Sequence, residues 1–332
     1  MKRVPFSRLG PAIVVVLVFM SACSTEAQYP LVPATVAEDA LLPSEEITVA
    51  GYTRSVHLRR YGNPSDPVMM VAPGSLSDIR AYAPFRAFTD AYYVVLWDMR
   101  GCGLSERVSS DELAIATMAE EMHQVKLLLS PDEPVTVVGH SWSASFAAIY
   151  CGIYPDDTAQ AILIEPPGLS SDYMEGLNQV LNLTSVGYGD MNWFQASLAP
   201  ADHEQLDFTM LAMLEAGVRD FFVDIENKPP WPIWRVGGLA LLVWEREVLG
   251  SAGRWDFDHT AGLDVYPHTV LLVGSSHSPV GYEFQRDYNA RAFASVELLY
   301  IDQSGHRMIT EQWDALEAGL RGYLSAYEGG RP

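Results

Sequence analysis

The chain has 332 residues, of which 48% are hydrophobic and 11% aromatic, enough to bury a large core. Its 21 Lys and Arg residues against 42 Asp and Glu leave a formal charge of -21, which argues against nucleic acid and anionic membrane surfaces as partners. The three cysteines, Cys23, Cys102 and Cys151, make neither a disulfide framework nor a zinc site.

In chain order, residues 1–23 read as a lipoprotein signal peptide. Lys2, Arg3 and Arg8 form a basic start. The apolar run 12–20 is too short to span a bilayer, and Ser21-Ala22 leads into Cys23. This small pair before a cysteine resembles a bacterial lipobox, which implies lipidation at Cys23, export, and membrane association through the N-terminal lipid alone. Plain secretion and an uncleaved anchor are the alternatives. Residues 24–45 read as a tether of little structure.

Two β-rich runs, 46–51 and 55–61, start the folded part as an antiparallel pair. The apolar runs 68–71, 92–97, 135–138 and 161–164 are bounded by Gly, Pro or Asp, as buried parallel strands are, and 269–273 and 296–301 read as two more strands. The capping signature Ser109-Ser110-Asp111-Glu112 predicts a helix running to about Leu129, with Leu113, Met118, Met122, Val125 and Leu129 inward. A closing helix is expected over 310–323. Alternation of this kind predicts an α/β fold with a mostly parallel eight-stranded sheet flanked by helices. Residues 169–260 break the rhythm with a largely helical, tryptophan-rich stretch. Inserted after strand 6, it would lie over the carboxyl edge of the sheet as a cap. The core would then comprise residues 46–168 and 261–332.

Gly139-His140-Ser141-Trp142-Ser143 follows a strand and opens a helix. This is the G-x-S-x-small pattern that places a serine on a strained strand-to-helix turn. From here the chain resembles the α/β-hydrolase superfamily, closest to its proline iminopeptidase branch. "VVLWDMRGCGLS" (94–105) is similar to that branch's loop after strand 4, and "GHSWSASFAAIYCGIYPD" to its elbow. "VMMVAPGSLSD" (68–78) falls where the oxyanion loop lies, with Pro73 at a histidine position and Gly74 retained. "DQSGHRMITEQW" resembles the Gly-His segment after strand 8.

The resemblance implies Ser141 as nucleophile, His306 as general base and the backbone N–H groups of Ser75 and Trp142 as the oxyanion hole. His140 reads as a packed neighbour of the elbow. The acid is the open question. The family's aspartate after strand 7 is replaced by His277 in Gly274-Ser275-Ser276-His277. Glu165, at the end of strand 6, is the best substitute, a place where haloalkane dehalogenases among others carry their acid. Glu283, Asp287 and Asp302 are alternatives. The expected activity is cleavage of an ester or amide through an acyl-enzyme, on a small-molecule or short-peptide substrate that includes N-terminal proline or other residues of peptides. A lipase-like carboxylesterase and a non-catalytic binding lipoprotein with a degenerate triad remain open. No cofactor and no metal are implied.

Overall fold

The computed structural model describes residues 33–174, 202–215, 223, 233, 235–249 and 254–327. The expected signal peptide and Cys23 lie outside them.

The hairpin expected at the start is β1 (Ser44–Val49) and β2 (Tyr52–Tyr61), with β2 in turn antiparallel to β4. β3 (Val68–Ala72) and β4 (Tyr93–Trp97) then run parallel. α1 (Ile115–Leu129), β5 (Val135–His140), α2 (Trp142–Ile153) and β6 (Thr158–Ile164) follow. Within the expected cap, α3 (His203–Glu215) and α4 (Gly238–Val248) are described. The chain closes with β7 (Val270–Ser275), α5 (Tyr282–Asp287), β8 (Val296–Ile301), α6 (Met308–Glu311) and α7 (Trp313–Tyr327). The eight strands form one sheet in the order β1-β2-β4-β3-β5-β6-β7-β8, parallel from β4 to β8.

The continuous apolar runs have a plain cause. Alternate side chains of each central strand enter different cores, so both sets are buried. Val135, Val137, Ala161, Leu163, Val270 and Leu272 join Met118, Met122 and Val125 of α1 on one face. Val138, Ile162, Ile164, Leu271 and Val273 join Phe85, Leu316 and Leu320 on the other. The register aligns the strands' carboxyl ends: Ala72 lies beside Gly139, His140 beside Ile164, and Ser275 beside Ile301. Every loop that leaves this edge therefore starts at about the same height.

Three boundaries differ from the sequence reading. Residues 33–43, the end of the expected tether, are held against the body: Thr35 and Val36 are buried, and the Val36 N–H donates to the Leu104 carbonyl at 2.9 Å. The Ser109–Glu112 box forms, but it closes a separate 3-10 turn, Ser110–Glu112. The Glu112 carboxylate is gripped by Arg54 Nε at 2.8 Å and Nη2 at 3.0 Å. α1 begins only at Ile115, whose N–H donates to Glu247 of α4 at 2.8 Å. The closing helix is split, with Glu311 ending α6 and Trp313 starting α7.

The two ends of the 169–260 insertion meet. Ser171 N–H donates to the Phe257 carbonyl at 2.9 Å and His259 N–H to the Leu169 carbonyl at 2.8 Å. α3 and α4 are tied to the loop after β4. Arg107 pairs with Asp207 at 3.0 Å, and Asp207 also accepts from the Gly238 N–H at 2.7 Å. Cys102 and Cys151 are free and buried. Among the described residues no helix is long and apolar enough to cross a membrane.

Candidate active site

Ser141 stands between β5 and α2 with φ 58° and ψ -127°, a conformation that costs a non-glycine residue of order 1–3 kcal/mol. The neighbours explain why it is held. Ser141 N–H donates to the Ile164 carbonyl at 2.9 Å, fastening the turn to the end of β6. A Cβ on Gly139 would lie 2.5 Å from the Ser143 carbonyl oxygen and 2.6 Å from Ala144 N, so strand and helix can approach only at a glycine. Ser143, where the usual motif has its second glycine, uses its hydroxyl. Oγ donates to the Ala72 carbonyl at 2.7 Å and accepts the His140 N–H at 2.9 Å.

Glu165 follows β6 directly, is fully buried, and carries a φ of 44°. Its Oε2 lies 2.6 Å from His306 Nδ1. Oε1 accepts the Ser275 N–H at 2.7 Å and the Ser275 hydroxyl at 2.5 Å. Burial pushes the Glu165 carboxyl up to about 8, against the downward pull of Ser275 and of the Ser278 hydroxyl. Burial pushes His306 down to about 3, helped by the Arg307 charge. A neutral His306 that donates from Nδ1 to Glu165 leaves an Nε2 lone pair for a proton. The His306 ring lies beside the elbow, its centroid 4.6 Å from that of His140.

Gly74 brings the loop after β3 against the same point. A Cβ there would meet the His140 carbonyl at 2.7 Å and Ser141 Cβ at 3.0 Å. Ser75 follows on this loop. Trp142 begins α2, where the first N–H groups of a helix have no intrahelical acceptor. Both N–H groups thus belong to segments that converge on Ser141.

A family model described as alpha/beta hydrolase fold matches residues 73–309. The chain belongs to the alpha/beta hydrolase fold family. This hydrolase is 26% identical to a proline iminopeptidase of Heyndrickxia coagulans over 199 residues, 57% of this chain and 67% of the relative. Among solved structures it is similar to a bacterial membrane phospholipase A, with a TM-score of 0.59, 17% identity, and coverage of 95% of this chain and 98% of the other. It is also similar to a proline iminopeptidase of Mycobacterium smegmatis, with a TM-score of 0.56, 16% identity, and coverage of 86% and 98%. These two structural likenesses speak to the fold.

The other carboxylates weighed for the acid stand elsewhere. Glu283 is exposed on α5, and Asp287 pairs with Arg286 at 2.8 Å. Asp302 is exposed and accepts from the Tyr300 hydroxyl at 3.1 Å. His277 is exposed too, with Nδ1 2.6 Å from the Ser276 hydroxyl. One group escaped the sequence reading, and a second, His140, was read only as a packed neighbour of the elbow. Ser275, which cradles Glu165, was visible only as a serine ending a strand. His140 is bonded on both ring nitrogens, to the Tyr82 hydroxyl at 2.5 Å and the His306 carbonyl at 2.9 Å. Among the described residues no group of three or more His, Cys, Asp or Glu could hold a metal ion.

The loop after β4 serves the frame rather than the reaction. Asp98 accepts from His57 Nδ1 at 2.8 Å, Ile79 N–H at 2.9 Å and Leu104 N–H at 3.0 Å. Arg100 is buried against Glu121 of α1 at 2.8 Å. Above the elbow, Leu76, Trp142, Met210, Val236 and Leu241 form an apolar cluster, and the Trp142 and Trp244 rings lie 6.0 Å apart.

Proposed function

We propose that this protein is a serine hydrolase that splits an ester or amide through an acyl-enzyme on Ser141. The observation that carries the reading is the 2.6 Å bond between His306 Nδ1 and a buried carboxylate, Glu165, beside the strained Ser141. His306 Nε2 takes the Ser141 hydroxyl proton as Oγ attacks the carbonyl carbon, and Glu165 stabilises the imidazolium that forms. The Ser75 and Trp142 N–H groups hold the developing oxyanion. The tetrahedral intermediate collapses, His306 returns the proton to the leaving alcohol or amine, and the acyl group stays on Oγ. Water then attacks in the same way, with His306 as base, and frees the acid and the serine.

The partly buried Trp142 next to Ser141, backed by the packed Leu76, Met210 and Leu241, favours a substrate with an apolar acyl group, as in a carboxylesterase or lipase-like enzyme. The likeness to a proline iminopeptidase favours a second reading, release of an N-terminal residue from a short peptide. That activity needs an anion for the substrate amine. Two described carboxylates of the cap are already paired, Glu204 with Arg235 and Asp207 with Arg107. Glu175, Asp190, Asp220, Asp224 and Glu226, and the side chain of Glu215, lie outside the described residues. Export with a lipid on Cys23 is part of the proposal, supported by the basic start, the short apolar run and Ser21-Ala22 before the cysteine. Loss of labelled-lipid incorporation in Cys23→Ala tests that part, and equal incorporation overturns it.

The reaction is tested with the full chain in mild detergent, a fluorophosphonate probe, and mass spectrometry of the adduct. Labelling should occur at Ser141 and slow by about 10³-fold or more in Glu165→Gln, which leaves Nδ1 without an anion. An unlabelled wild type overturns the enzyme reading and favours a binding protein.

A further inference from the structure

His140 stands beside the proposed nucleophile and has no step in the reaction above, yet its two ring nitrogens reach into both flanking loops. Nε2 lies 2.9 Å from the His306 carbonyl oxygen, which can only accept, so Nε2 carries a hydrogen. In the neutral ring Nδ1 is then a lone pair. The Tyr82 hydroxyl, 2.5 Å away, must donate to it. Having given its hydrogen to His140, Tyr82 Oη accepts the Gly74 N–H at 2.8 Å. Every donor and acceptor direction in the chain Gly74 N–H, Tyr82 O–H, His140, His306 C=O is fixed. Burial supports the same protonation states: it holds His140 well below the usual histidine range and raises the Tyr82 hydroxyl above its ordinary value.

The Gly74 end of this chain bears on the reaction. Ser77 Oγ donates to the Gly74 carbonyl at 2.7 Å. That carbonyl belongs to the same planar peptide as the Ser75 N–H, and in a trans peptide the two point in opposite directions. With Gly74 held by Tyr82 on its N–H side and by Ser77 on its C=O side, the direction of the Ser75 N–H is determined. The absence of a Cβ on Gly74 lets this clamp sit against the His140 carbonyl and Ser141.

We propose that Tyr82 and His140 are positioning residues: their one-way hydrogen-bond chain fastens the oxyanion loop to the loop carrying His306, so that oxyanion donor and base keep one registration about Ser141. The proposal rests on the serine-hydrolase reading. It concerns the alignment of groups that act in the transition state, so its loss lowers kcat and leaves KM nearly unchanged.

The test uses the full chain as wild type, Tyr82→Phe, His140→Gln and the double variant. For each, kcat and KM for p-nitrophenyl butyrate are measured together with the rate of fluorophosphonate labelling at Ser141, well below the melting temperature. Tyr82→Phe keeps the buried ring and removes the hydroxyl. It should lower kcat and the labelling rate by about 10- to 100-fold, with KM within about twofold. His140→Gln keeps a donor for the His306 carbonyl and breaks the Tyr82 link. Both single changes cut the same bond, so the double variant should be no slower than the slower single one. Losses that multiply in the double variant, a change confined to KM, or singles that match wild type overturn the proposal. Should Tyr82→Phe fail to fold, Ser77→Ala with His140→Gln supplies the same kcat-against-KM comparison. A labelled wild type with unaffected variants removes this coupling alone. An unlabelled wild type removes the hydrolase reading and the coupling with it.

Discussion

At the scale of single residues, the acid next to His306 is decided by two strand ends. Glu165 leaves β6 at a positive φ and meets Ser275 at the end of neighbouring β7, whose N–H and hydroxyl both donate to Oε1. A carboxylate so placed presents Oε2 to His306 Nδ1 at 2.6 Å. Burial raises its pKa to about 8. Since the proposed reaction needs Glu165 ionised with His306 neutral, kcat/KM should rise with pH through a limb near that value, more alkaline than an ordinary histidine would give. Ser275→Ala removes one of the donors that favour the ionised form, so the carboxyl rises further. The limb should move to higher pH by about one pH unit or more, with activity recovered above it. A pH profile of kcat/KM for both proteins checks this, and an unmoved limb would show that Glu165 does not control it. The sequence marked Glu165 as a carboxylate after four apolar residues. It ranked Glu165 ahead of Glu283, Asp287 and Asp302 but left all four open, because the choice depends on which strand end lies beside the loop after β8.

At the scale of elements, the elbow was legible for local reasons. Gly139 and Ser143 flank a serine between an apolar run and a helical stretch, and only small residues permit that turn. By size alone Ser143 can stand where the motif has its second glycine. In the fold its hydroxyl joins β3 to β5 through Ala72 and His140. Ser143→Ala should therefore destabilise the protein by about 1–3 kcal/mol, because it leaves the buried His140 N–H without that acceptor. Urea denaturation at neutral pH measures the change, and a midpoint equal to wild type would refute the role. The capping box shows the opposite case. Its local pattern formed as read, but Arg54 and Glu247, from distant parts of the chain, decide where the turn ends and α1 begins.

At the scale of the whole molecule, buried and half-buried titratable groups set a window of stability. Burial depresses His306 to about 3, His259 to about 4, and His140 well below its usual range. Their folded values lie below the unfolded value of 6.5, so the unfolded chain binds protons more readily. Stability present above pH 6.5 is lost as pH falls towards the folded values, by about 2 kcal/mol at pH 5 for a fully buried histidine. Glu165 acts with the other sign. Its folded value exceeds its unfolded 4.5, so its contribution is lost as pH rises through about 8. The urea midpoint should be highest near neutrality and distinctly lower at pH 5. Equal midpoints at pH 5 and 7.5 would contradict the burial of these imidazoles.

The sequence by itself determined the parallel sheet and the elbow at Ser141, since strand burial, helix periodicity and a tight turn are written in neighbouring residues. It also singled out His306, through a Ser-Gly-His segment at a strand end. Only the tertiary structure decided which carboxylate meets His306, that Ser275 holds it, and that Tyr82 and His140 join two loops. These pairs are separated by 141, 110 and 58 positions in the chain. Contacts at such separations are created by strand order and register, and hydrogen bonding reaches only about 3 Å. A local pattern can therefore nominate a partner, as it did Glu165, but cannot establish the contact.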